Sequence, residues 1–191
     1  RGRAHLVRYA DDAVLLFEHE DDARRVLRVI YDRFAKYGLT VHPEKTRLVP
    51  FTRPPNTAKT AKLYAGTFDL LGFTHHWGRS RRGSWVVKRK TAKDRFRRAV
   101  ADIHAWCREH RHQPVTHQWR MLCQKLDGHY AYYGITGNGR CLNAFRNAAR
   151  ARWRFWLNRR SEKGRMPWWR HWRLLERYPL PPPRLMARHR A

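Results

Sequence analysis

The 191-residue chain sets 42 Lys and Arg against 15 Asp and Glu, a formal charge of +27, with 42% hydrophobic residues; that is enough apolar material for one ordinary domain or two small ones. So large a basic excess exceeds what solubility requires and points to a polyanion, nucleic acid before anionic membrane. No run approaches the roughly 18 apolar residues of a membrane span and no signal-peptide pattern opens the chain, while Cys107, Cys123 and Cys141 lie too far apart for a Cys-x-x-Cys zinc pair, so a soluble protein of a reducing, cytosolic setting is expected.

The charge is uneven. Residues 1–50 hold 10 basic and 8 acidic side chains, leaving 32 and 7 for the rest. The pattern suggests a front that packs or does chemistry and a rear that grips phosphates. The chain opens on Arg1 directly before a strand pattern, which suggests upstream sequence.

In chain order, residues 5–9 and 13–17 are apolar runs separated by Ala10, Asp11 and Asp12, the format of a tight β-hairpin. The unbroken "AVLLF" predicts a strand buried on both faces, inside a sheet. From Asp21, the spacing of Val26, Leu27, Ile30 and Phe34 predicts a helix ending near Gly38. "GLTVHPEKTRLVPF" reads as a turn and a short extended piece, and residues 53–62 as a loop. "FDLLGFTHHW" and "GSWVVKRK" read as two strands joined by a basic turn at 78–83.

Beyond Thr91 the period becomes helical. Phe96, Val100, Ile103 and Cys107 mark one helix; Trp119, Leu122, Leu126 and Tyr130 a second; Leu142, Phe145, Ala149, Trp153 and Trp156 a third. "YPLPPPRL" predicts an extended cap or arm. The fold class expected is α+β, with a strand-and-helix domain over residues 1–90, an all-α domain over 91–178 and a proline-rich basic tail over 179–191.

Adjacent side chains on a regular strand face opposite ways, but at a hairpin tip two can serve one site. Asp11 and Asp12 make a hard-oxygen pair suited to Mg2+, which binds protein through one or two carboxylates and takes its other ligands from water and phosphates. Two such ions about 3.5–4 Å apart would clamp the attacking and leaving oxygens of a phosphoryl transfer. The plain alternative is a polar hairpin turn. His75, His76, His110, His112 and His129 have no Cys or acid at ligand spacing, so no zinc site is expected.

Tyr9-Ala10-Asp11-Asp12 between apolar strands resembles the Tyr-x-Asp-Asp hairpin in the palm of reverse transcriptases, with the Ala typical of enzymes encoded by mobile group II introns. "GLTVHPEKTRLV" resembles the next palm element, "FDLLGF" the hairpin that positions the primer end, and "GHYAYYGITGN" with the segment from "FRNAARARWRFWLNRR" to "LPPPRL" the thumb or maturase region, so the resemblance covers nearly the whole chain. It implies a palm remnant followed by a helical thumb in a bacterial, cytoplasmic nucleotidyltransferase. Asp11 and Asp12 would be catalytic metal ligands, Tyr9 would pack beneath the nascent pair, and Lys45 would sit near the leaving pyrophosphate as a proton donor. Leu71, Gly72 and Phe73 would position the primer, with Gly72 allowing backbone to approach backbone. Lys45 also reads as an ordinary solvated lysine, and Leu71 to Phe73 as strand core.

The family's metal pair takes a further aspartate from an earlier palm strand, and Asp69, Asp94, Asp102 and Asp127 sit in segments with other roles. The chain by itself is therefore expected not to polymerise DNA. At the rear, Arg146, Arg150, Arg152, Arg154, Arg159, Arg160 and Arg165 stand among tryptophans with few acids to pair with, which predicts RNA contacts. The partners implied are structured intron RNA and template, a DNA primer and deoxynucleotide triphosphates; a homodimer is compatible with the sequence but not indicated. Two other readings stand beside the polymerase: a non-catalytic RNA-binding maturase fragment that aids intron folding and splicing, and a basic scaffold for any polyanion.

Overall fold

A computed structural model describes residues 2–43, 46–61, 63–161 and 166–185. The architecture of the described residues is mixed α and β, with two small sheets and five helices among them, consistent with a reverse-transcriptase palm remnant followed by a helical domain. The chain forms two compact units: one runs from the front to Leu71 and takes in His75–Lys88, the other joins Gly72–Thr74 to the residues from Arg89 on.

In the first unit, β1 (Ala4–Tyr9) and β2 (Asp12–Phe17) pair antiparallel with Tyr9 opposite Asp12. The two-residue loop turns through Ala10 at φ 51°, the positive value that primed hairpin turns require at their first central position. Helix α1 (Glu20–Lys36) packs on β2. Glu20, Asp21 and Asp22 lie in its first turn, where carboxylates meet the positive end of the helix dipole. It ends as Gly38 swings to φ 67°.

The expectation of a β2 buried on both faces is corrected. The strand has one neighbour among the described residues; Val14 and Phe17 are half-buried, whereas Leu15 and Leu16 stay about 40% exposed. An apolar run without alternation thus belongs to a two-stranded ribbon with one helix against it.

The second sheet has the order β3 (Phe68–Leu70), β4 (Phe73–Arg79), β5 (Trp85–Thr91). "FDLLGFTHHW" is therefore two strands, not one. The loop at 53–62 is tied in place by donors from the sheet: Trp85 Nε1 donates to the Pro55 carbonyl at 3.0 Å, and the Arg79 guanidinium, which also lies over the Trp85 ring, donates to the Ala58 carbonyl at 3.0 Å. Phe51 stacks on Trp77 and meets Phe68 edge-on.

The main core lies in the second unit. Helices α2 (Lys93–Glu109), α3 (Val115–Tyr133) and α4 (Gly139–Leu157) bury Ile103, Cys107, Leu122, Leu126, Tyr130, Leu142, Phe145, Ala149, Trp153 and Leu157, with Phe96, Val100, Trp119 and Trp156 packed against them. The 3.6-residue period locates this stripe, apart from Gln118, which continues it one turn toward the start of α3 and is also buried. A further helix, α5 (Trp168–Arg177), is absent from the sequence reading; Pro167 at its start and inward-facing His171 and Leu175 were the available signals. After it, residues 178–185 run extended as a strap over α3 and α4, with Leu180 buried.

Candidate nucleic-acid and metal site

The tip of the first hairpin carries Asp11 in the loop and Asp12 at the start of β2, both exposed. Neither makes an ion pair among the described residues; the Arg8 guanidinium, on the opposing strand, donates its Nε to the Ala10 carbonyl at 2.9 Å. Tyr9 is 66% exposed. The pair offers an open, hard-oxygen donor set, which fits a magnesium ion held by one or two carboxylates and completed by water and phosphate. A closed two-ion centre needs more, and among the described residues no three His, Cys, Asp or Glu side chains come together. Lys45 lies outside the described residues.

The second hairpin turns at Leu71 and Gly72, with φ of 50° and 74°; two positive values in succession are the requirement of a type I′ turn. The Gly72 carbonyl accepts from Ala92 N–H at 2.9 Å, so backbone does meet backbone there, but the tightest neighbour of a side chain at Gly72 would be the Tyr133 hydroxyl, 3.0 Å from an ideal Cβ. Phe73 stacks parallel to Tyr132 at 5.9 Å and meets Tyr133 at 63°. Phe73 is thereby packed against the end of α3. Thr91 is held by Asn138, whose Oδ1 accepts from Thr91 N–H at 3.0 Å while its Nδ2 donates to Thr91 Oγ1 and to the Tyr133 carbonyl, both at 2.9 Å.

Four of the rear arginines, Arg146, Arg154, Arg159 and Arg160, have carbonyl or ring partners within the fold, a use that the scarcity of acids did not announce. Arg146 donates to the Leu180 carbonyl at 2.6 Å and so clasps the strap. Arg154 donates Nε to the Met166 carbonyl at 3.2 Å and lies 3.9 Å over the Trp168 ring. Arg159 covers Phe155 at 3.6 Å. Arg160 reaches the His112 and Gln113 carbonyls at 3.2 and 2.6 Å. Arg150 is half-buried, and burial followed by the neighbouring Arg146 pulls it below the ordinary guanidinium range. Arg152 is exposed and makes no hydrogen bond or ion pair among the described residues; with Arg97 it edges a shallow cavity floored by Phe96, Val100 and Ala101. Arg165 lies outside the described residues. A guanidinium that donates to one carbonyl keeps N–H groups in hand, so structural use and phosphate contact are compatible.

The histidines behave as packing groups. His129 stacks on Phe145 at 3.9 Å, and burial lowers its pKa to about 4. His171 is fully buried, edge-on to Trp153 and Trp168; burial, then Arg154 and Arg150, lowers it to about 4 as well. Cys107 is sealed in the core with its thiol pushed up to about 12 by burial, which leaves it inert as a nucleophile.

Residues 1–75 match the family model of reverse transcriptase (RNA-dependent DNA polymerase). The match contains the acidic hairpin, α1 and the Leu71 to Phe73 turn, and stops within β4. No curated protein and no solved structure matches the chain. No helix among the described residues is long and apolar enough to cross a membrane.

Proposed function

We propose that the chain serves a group II intron-type RNA-directed DNA polymerase and maturase, its front supplying part of the polymerase palm and its helical unit gripping intron RNA. The observation that carries this reading is the position of Tyr9-Ala10-Asp11-Asp12 at the tip of a two-residue hairpin loop inside the reverse-transcriptase match. Asp11 and Asp12 would hold magnesium, which when bound supplies charge stabilisation to the oxygens of a phosphoryl transfer. A further carboxylate would be needed to complete a two-ion centre. The Leu71-Gly72-Phe73 turn would present the primer end, on a base held by Tyr132 and Tyr133. Lys45 would stand by the leaving pyrophosphate. The basic helices would draw in template and intron RNA, with deoxynucleotide triphosphates as substrates of the palm.

The test is primer extension on an RNA template by the full product of the reading frame that encodes this chain. Asp11→Ala is expected to abolish extension and to leave RNA affinity within about two-fold, because one carboxylate on an exposed tip adds little to a phosphate-driven affinity. Extension by the mutant at the wild-type rate would eliminate the catalytic assignment. The second reading, a non-catalytic RNA-binding maturase fragment, draws on the absence of a third acidic ligand beside the pair among the described residues. Tight intron RNA binding with no extension by the wild-type product would favour it.

A further inference from the structure

We propose that the outer face of α5 is a stacking platform for unpaired bases, so that the helical unit prefers single-stranded or looped RNA to duplex; this rests on the RNA-gripping reading above and refines it. Trp168, Trp169 and Trp172 are 52%, 61% and 52% exposed. At about 100° per residue the three fall within one sector of roughly 100° on the helix surface. His171 and Leu175, three and seven residues after Trp168, flank this sector on one side and are both buried, which holds α5 in place. Three half-bare indoles side by side form an apolar patch of the kind that marks a binding surface.

Charge decides the occupant. Guanidinium groups stand at the rings: Arg154 lies 3.9 Å over Trp168 and Arg173 lies 5.5 Å over Trp169. Within α5, three arginines face a single acid, Glu176. Flat rings interleaved with cations match a strand whose bases alternate with phosphates. A lipid-seeking helix would turn aliphatic side chains outward, yet Leu174 and Leu175 are packed into the core, and the large apolar groups that α5 exposes are indoles. A duplex hides its base faces and would gain from the arginines alone.

The full chain is titrated by fluorescence anisotropy against two RNA probes of equal phosphate count, an unstructured 12-mer of mixed sequence and a base-paired duplex. The double variant Trp169→Ala, Trp172→Ala is expected to bind the single strand about ten-fold or more weaker while duplex affinity and the salt slope stay unchanged, since stacking is lost and phosphate contacts are kept. Tyr at both positions should restore binding and Leu should not, because Leu keeps apolar area without a π face. Both side chains point to solvent, so folding is checked simply by an unaltered thermal midpoint. Equal binding by the Leu and Tyr variants, equal loss on both probes, or uptake by anionic phosphatidylserine vesicles with RNA affinity unaffected by the variants would overturn the platform. If the wild type binds neither probe, the RNA-gripping reading falls with it.

Discussion

Gln118 shows how much one polar side chain can organise. Its Nε2 donates to the Arg111 and Gln113 carbonyls at 3.1 and 2.8 Å, and its Oε1 accepts from Trp153 Nε1 at 2.9 Å, so a residue 1% exposed closes the turn between α2 and α3 and orients the central tryptophan of α4. Gln118→Leu keeps the volume but strands the indole N–H and the Arg111 carbonyl; the Gln113 carbonyl retains Arg160. The expected loss is about 2–4 kcal/mol of unfolding free energy, read by urea denaturation. A loss of unfolding free energy under a tenth of that would show that water takes over these bonds. The phase of Gln118 with Leu122 and Leu126 was legible in the sequence, since inward-facing positions follow from the helical period. What it bonds was not, and the same holds for the arginines. Arg146, Arg154 and Arg160 find carbonyls 34, 12 and 48 residues away, and no local pattern encodes such pairings.

At the scale of elements, the first hairpin and three of the four rear helices could be read from apolar period alone, because each has its own phase and its own breaker. The β3–β4 hairpin, which the family resemblance gives, was missed by the residue pattern alone for a physical reason. A type I′ turn ordinarily announces itself by Asn-Gly, whereas here Leu71 occupies the left-handed region at φ 50°. Its neighbour Gly72 does carry the expected residue type. Gly72→Ala would impose the left-handed penalty of about 1 kcal/mol and set a methyl 3.0 Å from the Tyr133 hydroxyl. The expected result is faster hydrogen exchange at the Ala92 N–H, which bonds the Gly72 carbonyl, with a lower thermal midpoint. Unchanged protection at Ala92 would show that the turn does not depend on the glycine. Helix α5 escaped notice because its inward side is made by His171, Leu174 and Leu175, too short a run to stand out among arginines and indoles.

For the molecule as a whole, acid is the expected weak point. His129 and His171 are held near pKa 4 in the folded helical unit, against about 6.5 in an unfolded chain. Between those values the unfolded state binds more protons, so stability rises with pH; it is complete above about 6.5 and falls as pH drops toward 4. Each buried imidazole contributes a loss on the order of 3 kcal/mol across that window. Denaturant midpoints from pH 7 to pH 4 should therefore slide downward, and His129→Phe should flatten the slide; a midpoint constant over this range would contradict the burial argument. The strap after α5 has a consequence of another kind. Trp119 and Tyr130 donate to the Pro179 and Pro181 carbonyls, Arg146 to the Leu180 carbonyl, and the chain passes so near Gly134 that a Cβ there would lie 2.6 Å from the Arg184 carbonyl. Proline carbonyls accept without offering an N–H in return, so the helices supply every donor at these bonds. Helices completed early in synthesis must then wait, their donors unmet, until the ribosome has released the final turn of this clasp. A stop codon directly after α5 would leave a nascent protein whose helices keep their shared core and lose the strap that bonds α3 and α4 together.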